Sequence, residues 1–473
     1  MRGVCLMLFL PAVWANVRPR REVPHYLRHR ASVTLLRELG NVPDSKWHDV
    51  LEHLKKQPVM DLQEGGSLHV NEKGMFLYTD PKIEKPRDLD QIDPVPNATS
   101  LPDLSAYAPH VYSGNPPLRP NDSLPLLHSM SSGSGIPVLF LDFDGHVLSA
   151  DQNVNWGSSN LEARAYDPAN DGDAFSVGEQ ANIIQIWARV AEDFSPWDID
   201  VTTEEPADLS TSSTVVHALV TRSVSASNQN MPYHYAGGVA YVGIFGGIHN
   251  TAYSPAFVYY DNLGNANNAG DTVSHEAGHN FGLSHHGNSM SAYHYGDSAY
   301  SWGPIMGAPF GKQYTQWSDG SYADASNPTQ DDTHIIGSLL NLRNDATARS
   351  AESLTLPQRF TGILRTPSDE HRYFLLAPQK GGRVHIQALH AEEGGNADVD
   401  IRVRNMQIAD FRATAGAVVD LGEEENVLEI IVKPGQRGPY GSYGSIGQYA
   451  ITATHVAQGQ TSSTLAPYDW VHF

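Results

Sequence analysis

Cysteine is almost absent from this sequence: there is one, Cys5, in 473 residues. It lies inside the apolar N-terminal stretch discussed below, so the processed chain is expected to contain no disulfide and no thiol nucleophile. Stability must then come from core size and bound metal. Long hydrophobic runs are also lacking. Beyond the first fifteen residues no apolar stretch reaches the roughly 18 residues that a membrane-crossing helix needs. Basic residues are scarce: 31 Lys and Arg against 53 Asp and Glu give 31 − 53 = −22. A surface this acidic repels phosphate backbones, which disfavours nucleic-acid binding.

What is present suits globular structure. Hydrophobic residues make up 40% of the chain, with 21 Tyr and 8 Trp, and the length suggests two to four domains. Met1-Arg2 precedes an apolar stretch from Gly3 to Trp14, followed by small residues around Ala15. Residues 1–15 therefore read as a secretory signal peptide, and the protein as secreted and extracellular. A basic cluster, Arg18-Pro19-Arg20-Arg21, follows. Residues 22–80 mix polar and apolar positions, with one short strand-like stretch, Met75 to Tyr78. From 93 to 137 the chain is dense in Pro, Ser, Asn and Gly and ends near SMSSGSG (129–135), which reads as an extended linker. Asn97 and Asn121 fit the N-glycosylation pattern.

At Pro137 the texture changes. Val138 to Leu141 is a continuous apolar run, expected to be a buried strand. Ser176 and Glu179 form a capping-box pattern opening a helix on which Ile183, Trp187, Val190 and Phe194 recur at helical spacing. Trp197 to Thr203, Val215 to Val220 and Gly238 to Phe245 read as strands. From 357 to 456, runs such as Arg372 to Leu376, Arg383 to Leu389, Asp398 to Val403, Val427 to Val432 and Gln448 to Thr454 alternate with turn residues. That is the pattern of a β-sandwich.

The chemistry sits in HEAGHNFGLSHHG, residues 275–287. His275 and His279, four apart on a helix, project from one face and can give two nitrogens to one Zn²⁺. Gly282 allows the positive φ that ends the helix. The chain can then swing back to deliver His285 as third ligand, with His286 the alternative. Three protein ligands leave one position for water, as a catalytic zinc site requires. The ion lowers the pKa of that water, and Glu276 takes its proton.

His275-Glu276-x-x-His279-x-x-Gly282-x-x-His285 resembles the zinc motif of the metzincin metallopeptidases, and Ile305-Met306-Gly307 resembles the methionine turn beneath their metal. With LDFDGH (141–146), VAEDFSPWDIDVTTE (190–204), GGVAYVGIF (237–245) and YTQWSDGSYADASN (314–327), the stretch from about 135 to 345 looks like a reprolysin-like secreted group. The resemblance implies an α+β fold: a metzincin-like catalytic domain with a twisted mixed sheet and an active-site helix. It also implies that an extended peptide substrate pairs with the strand at Val239, Ala240 and Tyr241. Two departures leave the oxyanion stabiliser open, with Tyr314 and His294 as candidates: His286 follows the third histidine, and Ala308 stands where some relatives carry Tyr. Residues 357–456 resemble the bacterial pre-peptidase C-terminal domain, on FTGILRTPSDEHRYFLL, ADVDIRV and YGSYGSIGQYAITAT.

The expected organisation is then a signal peptide (1–15), a propeptide with linker (16–133), a zinc metallopeptidase catalytic domain (134–350), an all-β sandwich accessory domain (357–456) and a tail (457–473). The expected function is a secreted zinc-dependent endopeptidase with one catalytic Zn²⁺ and protein or peptide substrates. The propeptide would silence it through a carboxylate, a histidine or steric cover. A catalytically inert secreted binding or adhesion protein on the same scaffold is the alternative, and a hydrolase of non-peptide bonds is a third reading. Calcium is a further candidate ligand, at Asp398 and Asp400 or at Asp167, Asn170, Asp171 and Asp173. Oligomeric state is not specified by the sequence.

Overall fold

The computed structural model describes residues 23–24, 27, 31–57, 59–62, 67–83, 101, 115–130, 135–172, 174–344, 358–377, 383–391, 394–405, 408–413, 417–420, 426–436 and 438–456. The leader with Cys5, the basic cluster at 18–21, Asn97, Asp173 and the tail lie outside these residues.

A seven-stranded mixed sheet organises the first three quarters of the chain, in the order β1-β2-β6-β7-β5-β3-β4. Its strands are β1 (Leu68–Val70), β2 (Phe76–Thr79), β3 (Val138–Asp142), β4 (Asp200–Thr202), β5 (Val215–Thr221), β6 (Gly238–Tyr241) and β7 (Ala256–Tyr259). β4, β3, β5 and β7 run parallel, and β6, β2 and β1 join antiparallel. The apolar run at Val138 is a strand buried between layers, and β5 is buried at every position, as strands covered on both faces are.

Two predicted strands are shorter than their sequence patterns. The stretch from Trp197 enters the sheet only at Asp200, because Trp197 bridges Leu342 and the Asp198 N–H donates to Asn341 O. β6 stops at Tyr241, because Gly243 turns at φ +65° and the N–H groups of Gly243 and Phe245 donate to the carbonyls of His279 and Asn280. Those carbonyls belong to the last turn of a helix, where acceptors are left over from the helical ladder.

Among the helices, α1 is Val33–Leu39, α2 Asp44–Leu54, α3 Val59–Leu62, α4 Ala150–Asn155 and α5 Val177–Asp193. α5 carries the expected capping box at Ser176 and Glu179. The short α6 (Asn250–Tyr253) and α7 (Tyr260–Leu263) lead to α8 (Ala266–Asn280), which opens on Asn265, whose side chain accepts from the Asn268 N–H. α8 is buried almost all round, against the sheet and α5, in a core that includes Ile183, Trp187, Val190, Val273, Ala277, Phe281 and Met306. A short α9 (Asp332–Gly337) follows the parallel pair β8 (Trp302–Pro304) and β9 (Tyr314–Gln316).

Residues before 84 differ most from expectation. Where the sequence suggested one strand, α1, α2 and the hairpin β1–β2 build a separate small core around Leu35, Leu39, Val50, Leu54 and Tyr78. The hairpin then extends the central sheet. Residues 115–130 also depart from an extended linker: Leu124 and Leu127 are fully buried in the main core. His128 bonds Asp200 and Glu204, and the Ser129 N–H donates to Val201 O.

The C-terminal unit has two four-stranded antiparallel sheets. One is β10-β17-β12-β15 and the other β11-β16-β13-β14; these are β10 (Gln358–Leu364), β11 (His371–Ala377), β12 (Arg383–His390), β13 (Val399–Asn405), β14 (Ile408–Ala413), β15 (Ala417–Asp420), β16 (Asn426–Pro434) and β17 (Gly447–Val456). Leu364, Tyr373, Val384, Ile401, Ile430 and Ile451 from both sheets share one core, the expected sandwich. It rests against the C-terminus of α5. Glu192 accepts from the backbone N–H groups of Asn396 and Gln448, Asp193 accepts from the Asn396 amide, and Tyr440 stacks on Trp302 at 3.8 Å. Among the described residues no helix is long and apolar enough to cross a membrane.

Candidate metal centre

Helical spacing decides the first two imidazoles. His275 and His279 sit on successive turns of α8 with ring centroids 4.7 Å apart. After α8 ends, Gly282 adopts φ +101° and the chain doubles back to present His285 to both. Each ring is oriented by its Nδ1. That of His275 faces Ile305 O at 2.7 Å and that of His279 faces Leu283 O at 2.8 Å. That of His285 faces Asp61 Oδ1 at 3.2 Å and Ser67 Oγ at 3.3 Å. With an N–H on each Nδ1, the three Nε2 lone pairs point inward.

The inner face fits a divalent cation. His279 Nε2 and His285 Nε2 are 3.2 Å apart, the separation of two nitrogens each about 2.0–2.1 Å from one tetrahedral zinc. His275 Nε2 is buried and makes no hydrogen bond, although Asp80 Oδ1 is 3.2 Å away. Orphaned imidazole nitrogens of this kind are metal donors in waiting. His286 is not among them: its Nε2 bonds Asp332 Oδ1 at 3.1 Å and its backbone N–H donates to Met306 O.

Glu276 points towards the start of β6. Both its carboxylate oxygens are buried without a hydrogen-bond partner. A Cβ at residue 238 would overlap Glu276 Oε1, so only glycine at the start of β6 leaves room for this carboxylate. Burial pushes the Glu276 carboxyl well above the usual range, and the neighbouring Asp80 charge adds to the effect. Met306 lies fully buried beneath α8, where a Cβ on Gly278 would strike its sulfur.

Sequence reading missed the fourth member of the cluster. Asp80, just past β2, groups with His275, His279 and His285, all four buried. Its Oδ1 is 2.8 Å from His285 Nε2 and its Oδ2 3.4 Å from His279 Nε2. Burial alone would raise this carboxyl, but His275 and His285 outweigh it and hold the group well below the usual carboxylate range. Tyr293 donates from its hydroxyl to Asp80 Oδ1 and to Thr79 O. The only local cue was the strand-like stretch Met75 to Tyr78, two residues before this acid. Nothing in spacing links that acid to a histidine cluster so far along the chain.

Val239, Ala240 and Tyr241 are on β6, adjacent to the centre, and their outer edge pairs with Thr79, Tyr78 and Leu77. The oxyanion candidates are engaged elsewhere: Tyr314 with His390, and His294 packed on Trp302 and Tyr322. Of the calcium candidates, Asp167 and Asp171 gather with Glu179, their carboxylate oxygens within 4.8 Å of one another, a grouping that could hold a cation, and Asn170 accepts from Arg222. Asp398 and Asp400 sit at the entry to β13, where the Asp398 carbonyl accepts from Gly435. A further group unites the buried Asp142 at the end of β3 with the half-buried His146 and with His217, the latter bonded to Asp142 Oδ2 at 2.8 Å.

Comparison with known proteins bears on the central part of the chain. No curated protein matches it. Among solved structures, similarity is found to the periplasmic inhibitor of g-type lysozyme PliG of Salmonella Typhimurium (14% identity, 23% of this chain, 100% of that chain, TM-score 0.17). It is also found to the pre-peptidase C-terminal domain of collagenase from Bacillus anthracis (16%, 22%, 98%, 0.17) and to the Yersinia pseudotuberculosis-derived mitogen (13%, 23%, 93%, 0.16). At such TM-scores these likenesses carry no weight for function. Residues 181–286 match the model of the family described as metallo-peptidase family M12B, reprolysin-like. The stretch that holds the three imidazoles and Glu276 is therefore similar to the reprolysin-like metallopeptidases, the resemblance its sequence motif indicates.

Proposed function

We propose that this chain is a secreted zinc-dependent endopeptidase made as a precursor. The observation that carries the reading is the convergence of His275, His279 and His285 Nε2 atoms beside the unpartnered carboxylate of Glu276. His275, His279 and His285 hold the metal, and Met306 packs beneath it. Zinc bound there supplies Lewis acidity to a scissile carbonyl and makes a neighbouring water more acidic. Glu276 takes the proton of the attacking water and returns it to the leaving amine. Its poor solvation, with no hydrogen bond to the carboxylate, raises its affinity for that proton. The edge of β6 at Val239, Ala240 and Tyr241 aligns an extended peptide by strand addition. The catalytic unit corresponds to residues 134–350 together with the packed 115–130 stretch, the prosegment lies before it, and the 357–456 sandwich is an accessory module. Export by a leader at 1–15 is part of this reading, and the exported chain would carry no disulfide, since Cys5 is the one cysteine of the sequence.

The experiment is zinc content per processed chain together with hydrolysis of an unfolded protein substrate, with and without a chelator. One zinc per chain and chelator-sensitive cleavage are expected. Glu276→Ala should keep its zinc and lose at least about a hundredfold in turnover. Unchanged cleavage in that variant rejects the mechanism, and full zinc without any cleavage by the processed wild type favours the inert binding protein.

A further inference from the structure

The proposed chemistry gives no task to Asp80, the group in closest contact with all three imidazoles. Building on the zinc-peptidase reading, we propose that Asp80 is the fourth ligand of the metal in the uncut chain, and that the β1–β2 hairpin, with Gln57 and Asp61 beside it, is a built-in occupant of the active site. The sequence left a carboxylate, a histidine or steric cover as ways to silence the precursor; the geometry points to this carboxylate.

Three observations support the assignment. The first is charge. Asp80 is buried, its Oδ2 makes no hydrogen bond, and Tyr293 supplies the one hydroxyl donor to Oδ1. A carboxylate removed from water needs compensating charge. A dication held by those same imidazoles would supply it at the inner face where the carboxylate lies. The distances of 2.8, 3.2 and 3.4 Å to the three Nε2 atoms place the carboxylate on the inner face of the histidine cluster.

The second is backbone. The Asp80 N–H donates to Gly238 O, and the Gly237 N–H donates to Asp80 O. With Leu77, Tyr78 and Thr79 paired to Tyr241, Ala240 and Val239, the carboxylate sits at the end of a ladder. It cannot swing out unless the pairing opens. That pairing also fills the edge on which a peptide substrate would be aligned, so one hairpin blocks both the metal and the substrate strand.

The third is packing. The Tyr78 ring stacks on His279 at 4.5 Å and lies 4.2 Å from His285, and its hydroxyl donates to Gln57 Oε1 and Asp61 Oδ2. Ser284 donates to the same Gln57 oxygen, and Asp61 reaches the outer nitrogen of His285. These contacts come from α3 and its flanks, well apart from β2 in sequence. Gln57, Asp61 and Tyr78 therefore fit the centre together.

The test uses the full-length chain loaded with Co²⁺, whose visible absorption reports coordination independently of catalysis. In the wild-type chain the spectrum should not respond to acetohydroxamate, because the position it needs is filled. In Asp80→Asn the starting spectrum should differ, and acetohydroxamate should shift it at least tenfold more readily. Chelator should also strip the ion at least tenfold faster. A wild-type spectrum that responds to acetohydroxamate while the chain is uncut overturns the proposal, even if Asp80→Asn fails to fold, and leaves the peptidase reading standing. A chain that binds no Co²⁺ overturns both.

Discussion

At the scale of single residues, the site depends on what is missing as much as on what is present. Gly238 lacks a side chain where Glu276 needs space, and Gly278 lacks one where Met306 fills the gap under α8. Gly238→Ala should therefore displace the Glu276 carboxylate without touching any metal ligand. The expected result is a tenfold or greater fall in kcat of the processed enzyme at unchanged zinc content, with overpacking costing about 1–3 kcal/mol of stability. Steady-state kinetics alongside metal analysis check this; equal loss of zinc and activity would show a general collapse instead. The histidines and Glu276 are readable from the motif because i, i+4 spacing on a helix and a turn-forming glycine are local facts. Asp80, Asp61 and Tyr293 are not readable, because their roles arise from long-range contacts.

At the scale of elements, the stretch 115–130 bears on where the proposed precursor would be cut. It reads as linker from its prolines, yet it buries Leu124 and Leu127 beside β4 and bonds His128 to Asp200 and Glu204. Removing it would strip two large side chains from the main core, at about 2–5 kcal/mol for each leucine lost. The active form should therefore retain it. N-terminal sequencing of the mature chain is expected to find a start between Ile83 and Asn115; a stable, active form beginning after Ser129 would contradict this. Helix α5 and strands β3 and β5 follow their sequence patterns, since capping residues and apolar runs act locally. β4 and β6 fall short of theirs because neighbouring loops and the end of α8 compete for their backbone groups.

At the scale of the whole molecule, the catalytic unit and the sandwich meet over two buried acids at the end of α5. Burial raises Glu192 to about 8, against hydrogen bonds from Gln448 and Asn396 that lower it, and raises Asp193 to about 7. The folded chain therefore holds protons that the unfolded chain releases near pH 4–5. Its stability falls as pH rises through that window towards 8, by up to about 1.4 kcal/mol per pH unit for each group. Glu192→Gln removes one titration while keeping a polar side chain. Its melting temperature, followed by calorimetry from pH 5 to 8.5, should decline less steeply than that of the wild type; parallel curves would show that Glu192 does not titrate across the interface.

The amino-acid sequence alone determined the histidine trio with its adjoining glutamate, the capped helix α5, the buried strands β3 and β5 and the alternating strands of the C-terminal sandwich. Each of these is encoded by neighbours within a few turns or one strand. Tertiary structure decided which carboxylate meets the imidazoles, which strand covers the edge of β6, and that residues 115–130 pack into the main core. Those outcomes depend on β pairing and burial between segments far apart in the chain, where compatibility of shape and charge leaves no periodic trace in either partner.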